Sequence, residues 1–326
     1  MNSHLKWFRR SARDGVSRTP RRRSFRTEME WLEGRSLLSA TSAVSWASNG
    51  VAHNTLYAID KNDSVEVSTD GGSFTSLNFY AKQISASLDA TGKPEVYAIA
   101  SDNSVAVNRG GVWVGLGGYV KQISATVANT VYVIGKDNGV YINRGTGTGF
   151  FPVGGVGGYA KQISAGADAA GNPEVFGIGA DDSVFVIRGA GTVNVPLGGY
   201  AKQISATMNN TVYVISLHDD VQVNRGIGFV PLGGYVKQIS ASLDATGKPE
   251  VFAVGSDDAL WVNHATGPDG TGSGFVRLGS VYVTEVSAPA VGIALPGDQA
   301  YVVGKGHGGF LHRGTSFIAI GGGTVE

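Results

Sequence analysis

One phrase, Tyr-x-Lys-Gln-Ile-Ser-Ala, recurs along this chain at Tyr80, Tyr119, Tyr159, Tyr200 and Tyr235. A degenerate copy, Tyr282-Val-Thr-Glu-Val-Ser-Ala288, follows, and Ser42-Ala-Val-Ser-Trp46 reads as a worn first copy. With the central Ile or Val as marker, the copies fall at 44, 84, 123, 163, 204, 239 and 286. The repeats therefore begin near 42, 82, 121, 161, 202, 237 and 284, with a period of about 40 residues. A sustained period of that length restricts a chain to stacked or circular arrays of one supersecondary unit.

Each copy carries the pattern of four short strands. The first is Lys-Gln-Ile-Ser-Ala, and the second is apolar throughout, as in Val131–Ile134 and Val212–Ile215. An Asp/Asn turn follows (Asp102-Asn103, Asp137-Asn138-Gly139, Asp181-Asp182, Asp219-Asp220, Asp257-Asp258), of the kind that tolerates positive φ in hairpins. The third strand ends in Asn-Arg (Val105–Arg109, Val221–Arg225), the fourth carries an aromatic, and Gly-Gly returns the chain to the next copy. The expected fold is all-β: a seven-bladed β-propeller of four-stranded antiparallel blades over residues 40–326. A ring lets each sheet bury both faces against its neighbours, whereas a parallel solenoid conflicts with the hairpin turns.

Residues 1–39 form a separate segment, expected to be disordered or briefly helical. Ten of the 26 Lys and Arg fall in residues 1–40 with only four of the 26 acids, so the remainder holds 16 basic and 22 acidic residues, a net of −6. An acidic body argues against nucleic acid as the ligand, because phosphate binding needs clustered positive charge. No segment is long and apolar enough to span a membrane as a helix. The chain has no cysteine, which removes disulfides and thiolate metal sites.

Leu32-Glu33-Gly34-Arg35-Ser36-Leu37-Leu38 after an Arg-rich stretch resembles the LEPR-XLL motif at the N-termini of bacterial secreted and surface proteins, with Gly34 where that motif has proline. The resemblance implies export, hence an extracellular or cell-surface location. The repeat itself (Ile-Ser-Ala, Val-Tyr-Ala-Ile, Asp-Asn-x-Val, Asn-Arg-Gly, an aromatic, Leu-Gly-Gly) resembles the tectonin repeat across roughly residues 40–326. That resemblance implies carbohydrate binding at several equivalent sites between blades. The sequence departs from it in tryptophan: only Trp113 stands in a fourth strand, where Phe74, Phe151, Phe229, Phe275 and Phe317 hold equivalent places and the fourth repeat has Asn194.

The residues expected to bind such a ligand are Trp113, Phe151, Phe229 and Phe275 as stacking platforms and Arg109, Arg144, Arg188 and Arg225 as multidentate donors. Against this, Arg109 could pair with Asp89 or Glu95 of the linker on the same rim. The repeated Lys (Lys82, Lys121, Lys161, Lys202, Lys237) is expected to pair with the turn Asp, and the repeated Tyr to pack between units with its hydroxyl satisfied. The linkers bearing Asp89, Asp168 and Asp244 offer too few oxygen ligands for calcium, and no His spacing suggests zinc. No catalytic constellation and no cofactor motif is present, since the acids recur copy by copy instead of forming one unique pair. The expected role is non-enzymatic recognition of glycans or cell-envelope polysaccharide, the alternative being a structural or protein-interaction scaffold that binds surface proteins.

Overall fold

The computed structural model describes residues 41–48, 51–60, 62–154, 159–189, 191, 193–244, 246–264, 274–289, 299–305, 309–313 and 316–320. The basic segment and its export-like motif lie outside these residues. Every described element is a strand; the strands form four sheets, and within each sheet every strand pairs antiparallel with the next in sequence. In the second repeat, for example, Pro94–Ala100, Val105–Arg109 and Val112–Gly117 follow a first strand that closes Thr75–Leu88. Thr75–Leu88, Val195–Ala206 and Val276–Ser287 each run unbroken from the fourth strand of one repeat into the first of the next.

The second strands are buried on both faces, as Thr130–Gly135 shows along its whole length. Their sequences are accordingly continuous apolar runs instead of alternations. The core is a series of inter-repeat layers. Tyr97, Ile99 and Val107 of the second repeat pack on Ile123, Val131 and Val133 of the third, and equivalent layers follow along the chain. A further layer joins Ala43 and Leu56 of the first repeat to Tyr301, Leu311 and Ile320 of the last. Asn54 adds a buried hydrogen bond of 2.6 Å to Gln299. The array therefore closes on itself by face packing, with no strand exchanged between first and last repeats among the described residues.

The Lys-Gln-Ile-Ser-Ala phrase explains the inner edge of this closed array. First strands are sheet edges, so their outward N–H groups need partners. The preceding repeat supplies them from side chains. Gln83, Gln122, Gln162, Gln203 and Gln238 accept the N–H of Ile123, Ile163, Ile204, Ile239 and Val286 at 2.9–3.2 Å. Ser85, Ser124, Ser164, Ser205 and Ser240 accept the N–H of Ala125, Ala165, Ala206, Ala241 and Ala288. Gln122, Gln203 and Gln238 also donate to the carbonyl of the same Ile or Val. Ser42 accepts from Ala86 N–H, so it occupies the place of Ser85. This corrects the register of the first copy: Ser42-Ala43 matches Ser85-Ala86, three residues earlier than the marker at Val44 suggests.

Candidate functional site: the two rims

A β-bulge falls at the repeated Lys in each of these first strands (between Ala81 and Gln83, Val120 and Gln122, and so on), which turns its ammonium toward the rim. There Lys82 and Lys121 donate to Asn103 and Asn138, while Lys161, Lys202 and Lys237 pair with Asp182, Asp219 and Asp258. The expected pairing with a turn Asp is thus observed for Lys161, Lys202 and Lys237, whereas Lys82 and Lys121 meet an Asn instead. Those turn residues all adopt positive φ (Asp63 64°, Asn103 68°, Asn138 68°, Asp182 68°, Asp219 68°, Asp258 63°), which is why Asn and Asp hold the position. Their carbonyls accept the N–H of Ala81, Val120, Ala160, Ala201, Val236 and Val283 in the next repeat.

The repeated tyrosines on this turn rim do not pack between units. Tyr80, Tyr119, Tyr159, Tyr200, Tyr235 and Tyr282 are 54–74% exposed. Each precedes the residue tied to the neighbouring turn, so its backbone is fixed while its ring projects outward. Lys136 Nζ lies 5.7 Å from the Tyr119 ring centre, and Lys305 Nζ lies 5.4 Å from that of Tyr282.

The opposite rim holds the arginines. Arg109 Nε donates to Glu95 Oε2 at 2.6 Å and Arg109 Nη2 to the Tyr97 hydroxyl at 3.0 Å. Glu95 is fully buried and also accepts from Ser87 and Tyr97. Arg188 stands 3.5 Å from buried Glu174, whose carboxyl is pushed up to about 7, chiefly by burial. The reason is local: Gly166 and Phe176 replace the hydroxyl donors Ser87 and Tyr97 found at Glu95. Arg225 is half-buried near Tyr213, but neither the Tyr213 hydroxyl nor Arg225 Nε and Nη2 makes a hydrogen bond, and Arg144 is exposed near Tyr132. In the sixth repeat His264 takes the arginine's place beside Glu250 at 2.9 Å. The linker carboxylates are used up by their own turns, as with Asp89, which accepts from Thr91 N–H, Thr91 Oγ1 and Lys93 N–H. No group of three or more possible metal-ligating residues occurs among the described residues.

The aromatic residues expected as stacking platforms are wedges between repeats. Phe229 lies over Gly199 and Phe275 over Gly234, each against the preceding repeat's return turn. In the second repeat that glycine is replaced by Phe79, and Trp113 stacks on it at 4.0 Å and 19° while donating its indole N–H to Leu77 O. The register corrects the third repeat: Ile142 pairs with Phe151, so Phe150, opposite Asn143, is the equivalent residue, and it packs over Gly118. Phe151 itself is 66% exposed. An open groove of about 800 Å³ lies beside Trp113, lined also by Phe79, Leu116, Gly117 and Gly149.

No family model matches the chain, and no curated protein matches it. Solved structures do. The chain is similar to YCF48 from Cyanidioschyzon merolae (12% identity, 84% of this chain and 95% of that one, TM-score 0.54). It is similar to YCF48 bound to D1 peptide (13%, 85% and 94%, TM-score 0.57). It is also similar to BBS1N in a complex with ARL6DN (12%, 85% and 93%, TM-score 0.58). At this identity the likeness shows the fold, a β-propeller, and nothing of activity.

Proposed function

We propose that this chain is a seven-bladed, non-enzymatic β-propeller that serves as a protein-interaction scaffold. The observation that carries the reading is how the two rims are used. Several of the arginine and aromatic residues first expected to hold a sugar hold the fold instead, Arg109 and Arg188 through Glu95 and Glu174 and the aromatics through the return turns. Six tyrosines in equivalent positions project from the turn rim, the most regular set among exposed apolar residues that elsewhere include Val112, Phe151, Val193 and Ile227. Aromatic residues projecting from a rigid surface are what protein-binding patches are enriched in. Two of the similar structures contain a protein or peptide partner, ARL6DN and D1 peptide, which supports the same reading.

The groove beside Trp113 supports a second reading, a single glycan site of the kind the tectonin resemblance implies. Export to the cell surface rests on the LEPR-XLL resemblance. The test is one purified sample applied to a peptide array and a glycan array. Binding confined to peptides is expected. Binding confined to glycans, lost on Trp113→Ala in a variant that still folds, would overturn the scaffold reading.

A further inference from the structure

Resting on that scaffold reading, we infer that the turn rim carries three vacant sites for cationic side chains, at Tyr80/Asp63, Tyr200/Asp182 and Tyr235/Asp219, so that the partner is a basic polypeptide. A fourth copy of the site is filled by the chain itself. Lys305 Nζ lies over the Tyr282 ring at 5.4 Å and pairs at 2.6 Å with Asp258 Oδ2, while Lys237 takes Oδ1 of the same carboxylate. One ammonium is thus held by an aromatic face of one repeat and the turn carboxylate of the repeat before it.

The same juxtaposition recurs without the lysine. The residue after each tyrosine donates its backbone N–H to the turn residue of the preceding repeat: Ala81 to Asp63, Ala201 to Asp182, Val236 to Asp219, as Val283 does to Asp258. Asp182 and Asp219 likewise give only Oδ1 to their own lysines, Lys161 and Lys202. At the filled site the aspartate side chain is 23% exposed, against 41% for Asp182 and 54% for Asp219. Tyr80, Tyr200 and Tyr235 are exposed by 66, 59 and 74%, and Tyr282 by 55%. The position that supplies Lys305, whose N–H docks on the Tyr282 carbonyl, is Ser256 beside Tyr235. By the same turn alignment it is Leu217 beside Tyr200 and Ser101 beside Tyr80. None of these can deliver a cation. The third repeat has the lysine (Lys136 over Tyr119) but Asn103 in place of the acid, so it offers no vacancy.

A lysine or arginine from outside would meet at each vacancy the ring quadrupole and a carboxylate together. Each contact is weak at an exposed site, and three fixed on one rim reinforce one another when the cations are linked in a single chain. The net charge of −6 outside the basic segment favours the encounter.

The test titrates the full chain with decalysine, with decaglutamate and with a neutral polysaccharide. Ser101→Lys/Leu217→Lys/Ser256→Lys fills the three sites from within, and Ala90→Lys/Ala169→Lys/Ala170→Lys adds the same charge to the opposite rim. The site-filling variant should bind decalysine about tenfold more weakly than the charge control. Tyr80→Ala/Tyr200→Ala/Tyr235→Ala, which changes no charge, should weaken binding similarly. Equal binding by the two lysine variants, or none by the wild type, overturns the inference. Binding of decaglutamate alone overturns the cationic partner and leaves the scaffold reading standing. Binding of the polysaccharide alone overturns both.

Discussion

Glu285 stands where every other complete copy of the inner ladder has glutamine, and Glu285→Gln should stabilise the protein at alkaline pH. The neighbouring glutamines accept a backbone N–H and, at Gln122, Gln203 and Gln238, donate to the carbonyl beside it. A carboxylate can only accept, and burial costs it its hydration; the glutamine amide is neutral and can donate as well. Burial pushes the Glu285 carboxyl from 4.5 up to about 8. A raised folded-state value means that the contribution is fully present below about pH 4.5 and is lost as pH rises through about 8. Each unit is worth about 1.4 kcal/mol, which sets a ceiling near 5 kcal/mol; partial exposure to solvent reduces this to about 1–2 kcal/mol. Thermal unfolding of wild type and variant should then coincide at pH 5 and diverge by about 2–4 °C at pH 8.5, with the variant higher. Glu174 titrates in the same interval but is common to both proteins and cancels in the difference. Parallel pH profiles for the two proteins would refute the reasoning.

Other perturbations test the rims. Phe176→Tyr restores to Glu174 the hydroxyl that Tyr97 gives Glu95; it should lower the Glu174 carboxyl from about 7 and add about 1 kcal/mol at pH 8, read by carbon-detected NMR titration and urea unfolding. Arg109→Ala strands buried Glu95 and should cost about 2–4 kcal/mol in urea unfolding, with much of the loss recovered by Glu95→Gln in the same chain. Gly199→Ala meets a positive φ of 75° and the Phe229 ring at 3.0 Å, so about 1–3 kcal/mol should be lost, whereas Gly115→Ala, with open space around it, should be mild by the same assay.

Much of this architecture is legible in the sequence because a repeat displays each constraint several times. The period, the four strands, the Asp/Asn turns and the pairing of Lys161 with Asp182 all follow from local pattern. The roles of Gln83 and Ser85 do not, because they depend on which strand forms the inner edge and on a neighbour some 40 residues away. The first copy has lost its Lys-Gln, so spacing alone favours Val44 over the true register at Ser42. Phe150 and Phe151 are adjacent, and only the pairing of Ile142 decides which one wedges against Gly118. The tyrosines deceive for another reason. A recurring aromatic ordinarily packs, but a residue placed just after the Gly-Gly turn begins its strand at the rim, beyond the reach of the inter-repeat core. Glu174 differs from Glu95 through substitutions on two other positions, so its perturbed carboxyl becomes readable only once Gly166 and Phe176 are seen beside it.

Hydroxyl-radical footprinting of the full chain with and without decalysine measures residue by residue which rim binds. Protection of Tyr80, Tyr200 and Tyr235, with Trp113 and Phe229 unchanged, is the expected result. Unchanged tyrosines, together with protection of Trp113 by a polysaccharide, would contradict it.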